Sequence, residues 1–276
     1  MITDQDSKEL KFMSNEEILR VAPTVFATEP SKDVSKHYTH IPTAQVLEDM
    51  KKLGWGVVDA QQVKARKNST KGFQKHLVTF RNPDVVINGG DGDTVFPQVL
   101  LTNSHDGKNA FTFTAGLFRL VCSNGLVIAT ETFSDVKMRH MGYTFEDLQV
   151  QIKNMVEQLP LTVESMNKMK AVELNKEQMK ALAEKSLTTR FTKDQLKVAD
   201  INLDELINPV RNEDKGNDLW SVFNVIQEKI ITGDFSYISG AKSRKAREVK
   251  NFKQDMDINK KLFAFASELV PQEIAS

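Results

Sequence analysis

One cysteine, Cys122, is the only thiol in this 276-residue chain. That excludes an intramolecular disulfide and every thiolate-rich zinc site, and it fits a reducing compartment. Net charge is also missing: 37 basic residues stand against 37 acidic ones. No global field therefore draws the chain to a polyanion or a membrane, and any such attraction must come from local patches. Long apolar runs are absent too. The longest uncharged stretches, Asn109 to Phe118 and Leu120 to Thr130, fall far short of the ~20 residues a spanning helix needs. The opening MITDQDSKEL is polar and acidic and carries no apolar signal-peptide core, so the expected location is cytoplasmic. A phosphate-cradling loop is lacking as well, because NGGDGD is not followed by Gly-Lys-Ser/Thr.

What is present reads as an ordinary globular chain, 40% hydrophobic and 27% charged. Early helix signals are local. Ser14 with Glu17 forms a capping box for SNEEILRVA, which Pro23 ends. Thr43 is the expected cap of a helix with Val46, Leu47 and Met50 on its apolar face, stopped at Gly54. From there to about Gly142, short Val-, Phe- and Thr-rich runs alternate with turn chemistry such as KNSTKG and HDGKN, which predicts an antiparallel sheet of four or more strands. From Tyr143 the period is helical: Phe145, Leu148, Ile152, Met155 and Leu159 form one stripe, Asn175 and Asp218 are caps, and Leu262, Phe263 and Ala266 mark a last helix. Strands followed by helices make an α+β order. The expected fold is an N-terminal antiparallel sheet with flanking helices, followed by a mainly helical C-terminal half. The expected organisation is a partly ordered segment 1–35, a sheet domain 36–142 and a helical region 143–276 packing on the sheet.

Two basic runs stand out in the neutral chain. Between Ala60 and Asn82 lie Lys64, Arg66, Lys67, Lys71, Lys75 and Arg81 with no acid among them, and Phe73 and Phe80 interleave. A hairpin of this composition suits phosphate contacts with base stacking; it equally suits a solvated edge whose lysines discourage strand pairing. The second run, AKSRKAREVKNFK, holds Lys242, Arg244, Lys245 and Arg247 and reads either as a phosphate-binding arm or as a solvated linker. Between them, Val99 to Gly142 sets polar residues among apolar strand-like runs. Arg119, flanked by Leu117, Phe118, Leu120 and Val121, needs an anionic partner if buried. Together with Cys122 and Asn124 it forms an expected structural polar core; a helical turn from Gly116 would place Arg119 and Cys122 on one face. Cys122 reads as an inert core thiol, with nucleophile as the alternative. His105, Asp106 and His140 are metal-ligand types without a metal-motif spacing, and Asp106-Gly107 is a turn dipeptide. His37 and His40 read as surface or packing residues. No catalytic residue and no cofactor follow from these patterns.

The segments APTVFATEP, HYTHIPT, GFQKHLVTFRNP, LTNSHDG, LFRLVCSNGLV, MRHMG, GNDLWSVFNVIQEKIITG and KSRKAREVK together resemble one family. It is the phage/plasmid-like family known as domain of unknown function nine hundred and thirty-two, and the likeness runs from Ala22 to Leu269. The resemblance implies a mobile-element setting in a bacterial host, amid DNA replication and recombination genes, and transfers no catalytic residue. The leading expectation is a non-enzymatic protein of DNA metabolism that binds nucleic acid, single strands included, through the basic hairpin and the basic C-terminal run. The alternatives are a metal-dependent hydrolase or nuclease using His105, Asp106 and His140, and an interaction protein that modulates a host or phage protein. No membrane partner is expected; a homo-oligomer is compatible with the pattern.

Overall fold

The computed structural model describes residues 11–65, 71–88, 94–119, 125–126, 136–138, 144–211 and 214–271. The fold is α+β. In chain order come α1 (Asn15–Val21), a 3-10 turn (Pro23–Phe26), α2 (Thr43–Lys52), β1 (Gly56–Gln62), β2 (His76–Arg81), β3 (Ile87–Asn88), β4 (Thr94–Asn103), β5 (Phe111–Arg119), β6 (Gly125–Leu126) and β7 (Val136–Met138). Then follow α3 (Phe145–Glu157), α4 (Leu159–Lys170), α5 (Lys176–Leu187), α6 (Lys193–Val198), β8 (Ala199–Ile201), α7 (Leu203–Ile207), α8 (Leu219–Thr232), β9 (Ser236–Ser239), β10 (Lys242–Lys245) and α9 (Phe252–Ser267). Two compact units result: the first carries α1 to α3 and most of the large sheet, and the second takes the chain from Leu159 onward together with β6 and the start of β4. Among the described residues no helix is long and apolar enough to cross a membrane.

The large sheet has the strand order β1-β2-β4-β5-β6, with β3 on β4 and β7 on β5. The pairs β1–β2, β2–β4 and β5–β7 are antiparallel. Register explains the core. Ala60, Val78 and Leu101 stand in one row across three strands, and Val57, Phe80 and Val99 in another. Side chains of paired residues share a face, and all six are buried in the main hydrophobic cluster. That cluster also takes Val46, Leu47 and Met50 of α2 and Leu148, Ile152 and Met155 of α3, so α3 belongs with the sheet. The capping box at Ser14 forms as expected, with Glu17 N–H on Ser14 Oγ at 3.2 Å. Thr43, in contrast, is not the cap of α2. Pro42 occupies that position, and the Thr43 hydroxyl is drawn into a buried polar row.

In the second unit α8 is buried nearly all round, from Leu219 and Trp220 to Ile230, and its buried Gln227 finds a partner, donating to Asn259 Oδ1 at 2.8 Å. Asp218 caps it, its Oδ1 accepting from Ser221 N–H at 2.9 Å. Within the second basic run Lys242–Lys245 is β10, the edge of a three-stranded antiparallel sheet ordered β10-β9-β8, and 246–251 follow without helix or strand. Gly240 at φ +63° makes the tight turn into it. Arg190 holds the far end of the hairpin. It donates through Nη1 to the Ile230 carbonyl at 2.6 Å and through Nη2 to the Arg247 carbonyl.

Gly233 ends α8 at φ +74°, and a Cβ there would lie 2.6 Å from the backbone carbon of Arg247. Both the left-handed backbone and the contact demand glycine. Gly233→Ala is expected to destabilise the protein by about 2 kcal/mol, seen as a lower midpoint in urea. An unchanged midpoint would show that the 246–247 backbone moves aside freely.

Candidate functional site

The apolar rows of the large sheet give way to a polar one at its end, where Gln62, His76 and Asn103 stand side by side on β1, β2 and β4. His76 and Asn103 are fully buried, and a buried polar group must find partners. The 3-10 turn and α2 supply them. Asn103 Nδ2 donates to the Thr43 hydroxyl at 3.0 Å and to the Ile41 carbonyl at 3.2 Å. The Thr43 hydroxyl then has its proton left for His76 Nε2, at 2.9 Å. His76 Nδ1 faces the Gln74 carbonyl at 3.2 Å and the Thr24 hydroxyl at 3.3 Å, and Thr24 in turn donates to Gln62 Oε1 at 2.9 Å. This chain of donors assigns the proton of a neutral imidazole to Nδ1. Burial pulls the His76 pKa down to about 4.

A second layer extends the cluster. His105, also fully buried, lies with its ring 5.2 Å from that of His76 and 4.7 Å from that of His40. Its Nδ1 is 3.0 Å from His40 Nε2. Tyr38 donates its hydroxyl to the Ser104 carbonyl at 3.1 Å, and burial together with the Asp106 charge pushes its phenol up to about 12. Asp106 shapes the turn: its Oδ1 accepts from Ser104 Oγ at 2.7 Å and from Lys108 N–H at 3.1 Å.

This cluster ties three loops to one end of the sheet. The His105 N–H donates to the Phe73 carbonyl at 3.1 Å, Ser31 N–H to the His105 carbonyl at 2.8 Å, and Val63 N–H to the Lys75 carbonyl at 2.9 Å. β1 and β2 pair antiparallel as the arms of the expected hairpin, and His105 meets it at Phe73. Lys64 and Lys71 are exposed on it, and Phe73 and Lys75 are half-buried. The neighbouring loops add exposed Lys32, Lys36 and Lys108, which no single run of sequence would flag. Glu29 and Asp33 are exposed acids on the same loops, and Asp106 Oδ2 lies 3.9 Å from Lys108 Nζ. Arg66 and Lys67 lie outside the described residues.

Two expectations need correction. Phe80 is no stacking platform, because its side chain is fully buried in the core row. Arg81 is not with the other cations: it closes β2 at the opposite end from the basic loop, five residues or roughly 17 Å away at ~3.4 Å per residue. There it is half-buried and donates through Nη2 and Nε to the Gln98 amide oxygen at 2.7 and 2.9 Å; burial draws its guanidinium down to about 10, still charged at neutral pH. The strand β5 runs through Gly116 to Arg119, so the condition for Arg119 and Cys122 to share a helical face, a turn starting at Gly116, is not met. The Arg119 side chain, Cys122, Asn124 and His140 lie outside the described residues. His105 and Asp106 make structural contacts, and among the described residues no three His, Cys, Asp or Glu side chains are arranged to hold a metal ion. His37 is exposed. In the second unit Lys242, Arg244, Lys245 and Arg247 are all exposed, with Lys245 Nζ 3.1 Å from Asp234.

Fold and site together define an α+β protein whose sheet ends in a buried histidine cluster backing lysine-bearing loops. The family model described as Domain of unknown function (DUF932) matches residues 31–263, and the chain belongs to that family. It is similar to UPF0380 protein YafZ of Escherichia coli (strain K12), 30% identical over 262 residues that cover 94% of this chain and 92% of that protein. UPF0380 protein YfjQ of the same organism is 30% identical over 261 residues, with the same coverage. No solved structure matches the chain.

His76 gives the cluster a pH signature. Its pKa is 6.5 when unfolded and about 4 when folded. The unfolded chain thus binds the proton first, so the full stability is present above pH 6.5 and is lost as pH falls toward 4, by about 3 kcal/mol in all. His76→Gln is expected to be less stable at neutral pH yet to lose less on acidification. Urea midpoints of both proteins between about pH 7 and pH 5 check this; parallel pH profiles would rule His76 out as the group responsible.

Proposed function

We propose that this protein binds nucleic acid, single strands in preference to duplex, as a phage- or plasmid-linked component of DNA metabolism. The observation that carries the reading is the convergence of Lys32, Lys36, Lys64, Lys71, Lys75 and Lys108 on loops at one end of a sheet. Lysines held on separate loops by a buried cluster form a preorganised surface, and phosphate contacts of this kind need charge in place more than base-specific geometry. Phe73, half-exposed between Lys71 and Lys75, offers a ring to an unpaired base, which a paired base in a duplex cannot reach. The β9–β10 hairpin supports the reading from the second unit. Lys242, Arg244, Lys245 and Arg247 are exposed on a strand and its continuation, with half-buried Tyr237 directly opposite Arg244. The mobile-element setting rests on the family resemblance alone.

The test is fluorescence anisotropy with a labelled single-stranded oligodeoxynucleotide and its duplex over a salt series. Affinity is expected to fall with salt, and Lys64→Gln, Lys71→Gln and Lys75→Gln to lower the log–log slope by about 0.7 per lost contact. Phe73→Ala is expected to weaken single-strand binding by about 1–3 kcal/mol and to leave duplex binding nearly unchanged. Absence of binding at low salt, or binding indifferent to these changes, overturns the proposal.

A further inference from the structure

Among the described residues no further strand pairs with either edge of the small sheet in the second unit, and the two edges differ in charge. On β10 all four side chains are exposed, and three of them are basic. On β8 the exposed residue is Asp200. The hydrogen-bond phase of both edges can be read from one contact. Ala246 N–H donates to the Phe235 carbonyl at 2.9 Å. Antiparallel pairs alternate between bonded and non-bonded. With Lys245 opposite Ser236 and Arg244 opposite Tyr237, the bonded pairs are therefore Arg244–Tyr237 and Lys242–Ser239. The main-chain groups of Ser243 and Lys245 point away from the sheet. On β9 the same alternation turns Ile238 toward its partner Asp200. Ala199 and Ile201 are left with their main-chain groups pointing away from the opposite edge.

We infer that β10 of one copy pairs in antiparallel fashion with β8 of a second copy, head to tail. In that register Ser243 faces Ile201 and Lys245 faces Ala199, which gives four main-chain hydrogen bonds. Arg244 then stands directly opposite Asp200, in a non-bonded pair whose side chains approach most closely. Within one copy Lys245 is engaged with Asp234 at 3.1 Å, whereas neither Arg244 nor Asp200 forms an ion pair among the described residues. Charge also selects among the ways two such sheets can meet. β10 against β10 opposes Lys and Arg with Lys and Arg, β8 against β8 opposes Asp200 with Asp200, and like charges directly opposite repel. Only the unlike edges attract. The contact is small, so association is weak and concentration-dependent. Because the interface is heterologous, each added copy leaves one edge of each kind open.

Sedimentation velocity on nuclease-treated protein, over a concentration series at low and high salt, tests this. The wild type is expected to gain mass with concentration and to lose that gain in high salt. Ser243→Pro removes an outward-pointing N–H and leaves the ladder to β9 intact, so it is expected to sediment as a monomer. Asp200→Lys and Arg244→Glu are each expected to be monomeric alone. Mixed in equal amounts they are expected to associate again at one-to-one stoichiometry, because one keeps Arg244 and the other Asp200 and the two substituted positions are opposite in charge as well. Circular dichroism of each variant confirms folding; if Ser243→Pro fails it, the mixture decides alone. A wild type that stays monomeric at its highest soluble concentration overturns the inference, and so does association that survives Asp200→Lys and Arg244→Glu. The nucleic-acid proposal fails separately: Ser243→Pro keeps every cation, so its oligonucleotide binding reports on that proposal only.

Discussion

The neutral imidazole of His76 is the constraint on which the end of the first unit depends. One ring joins four parts of the chain: α2 through Thr43, the 3-10 turn through Thr24, the basic loop through the Gln74 carbonyl, and the His105 ring after β4. Each partner has its own second bond, so the row is satisfied only as a whole. Protonation at Nε2 would set a second donor against the Thr43 oxygen, which already accepts from Asn103. The cluster is therefore stable as a neutral assembly and strained as a cation, the reverse of a catalytic imidazole poised to exchange protons near neutrality. Its task is to fix the loops in front of it.

Where the determinants were local, the residues told the fold directly. The capping boxes at Ser14 and Asn175 and the cap at Asp218 are side-chain-to-backbone contacts within one turn, and they form whatever the rest of the chain does. Thr43 shows where that logic ends. It has the chemistry of a cap, but three strands away Asn103 and His76 compete for its hydroxyl and win. Phe80 fails for a related reason: alternation along β2 was visible, yet which face is covered depends on α2 and α3, and both faces of β2 are buried. The histidine cluster was out of reach because His40, His76 and His105 come from three distant segments, each innocuous by itself. Its nearest sequence signal was a histidine beside turn chemistry in LTNSHDG.

The second basic run left an arm and a linker both open, because charge density suggested solvation and hid the strand at Lys242–Lys245. The hairpin signal was present in SYISGAKSRK, a two-residue turn with glycine at its first position between two extended runs. Strand propensity is low for lysine and serine, so what holds β10 is its context. The β9 ladder, the Phe235 carbonyl and the Arg190 clasp on the Arg247 carbonyl fix both ends of the hairpin. A cationic edge strand fixed in this way rejects its own kind and stays open to partners of opposite charge.

Arg244 brings the two proposals into one constraint. The same guanidinium that would meet a phosphate on the β10 edge would meet Asp200 of a second copy, and it cannot do both at one time. By linkage, ligands that exclude each other at a shared group weaken each other's binding equally. Nucleic acid on this edge would then dissociate head-to-tail copies, and association would lower affinity at β10 while leaving the lysine loops of the first unit unaffected. The two basic surfaces are therefore not equivalent: among the described residues neither Lys64 nor Lys71 is in an ion pair, and Lys108 lies 3.9 Å from Asp106, whereas the edge strand would meet a competing anion on a second copy.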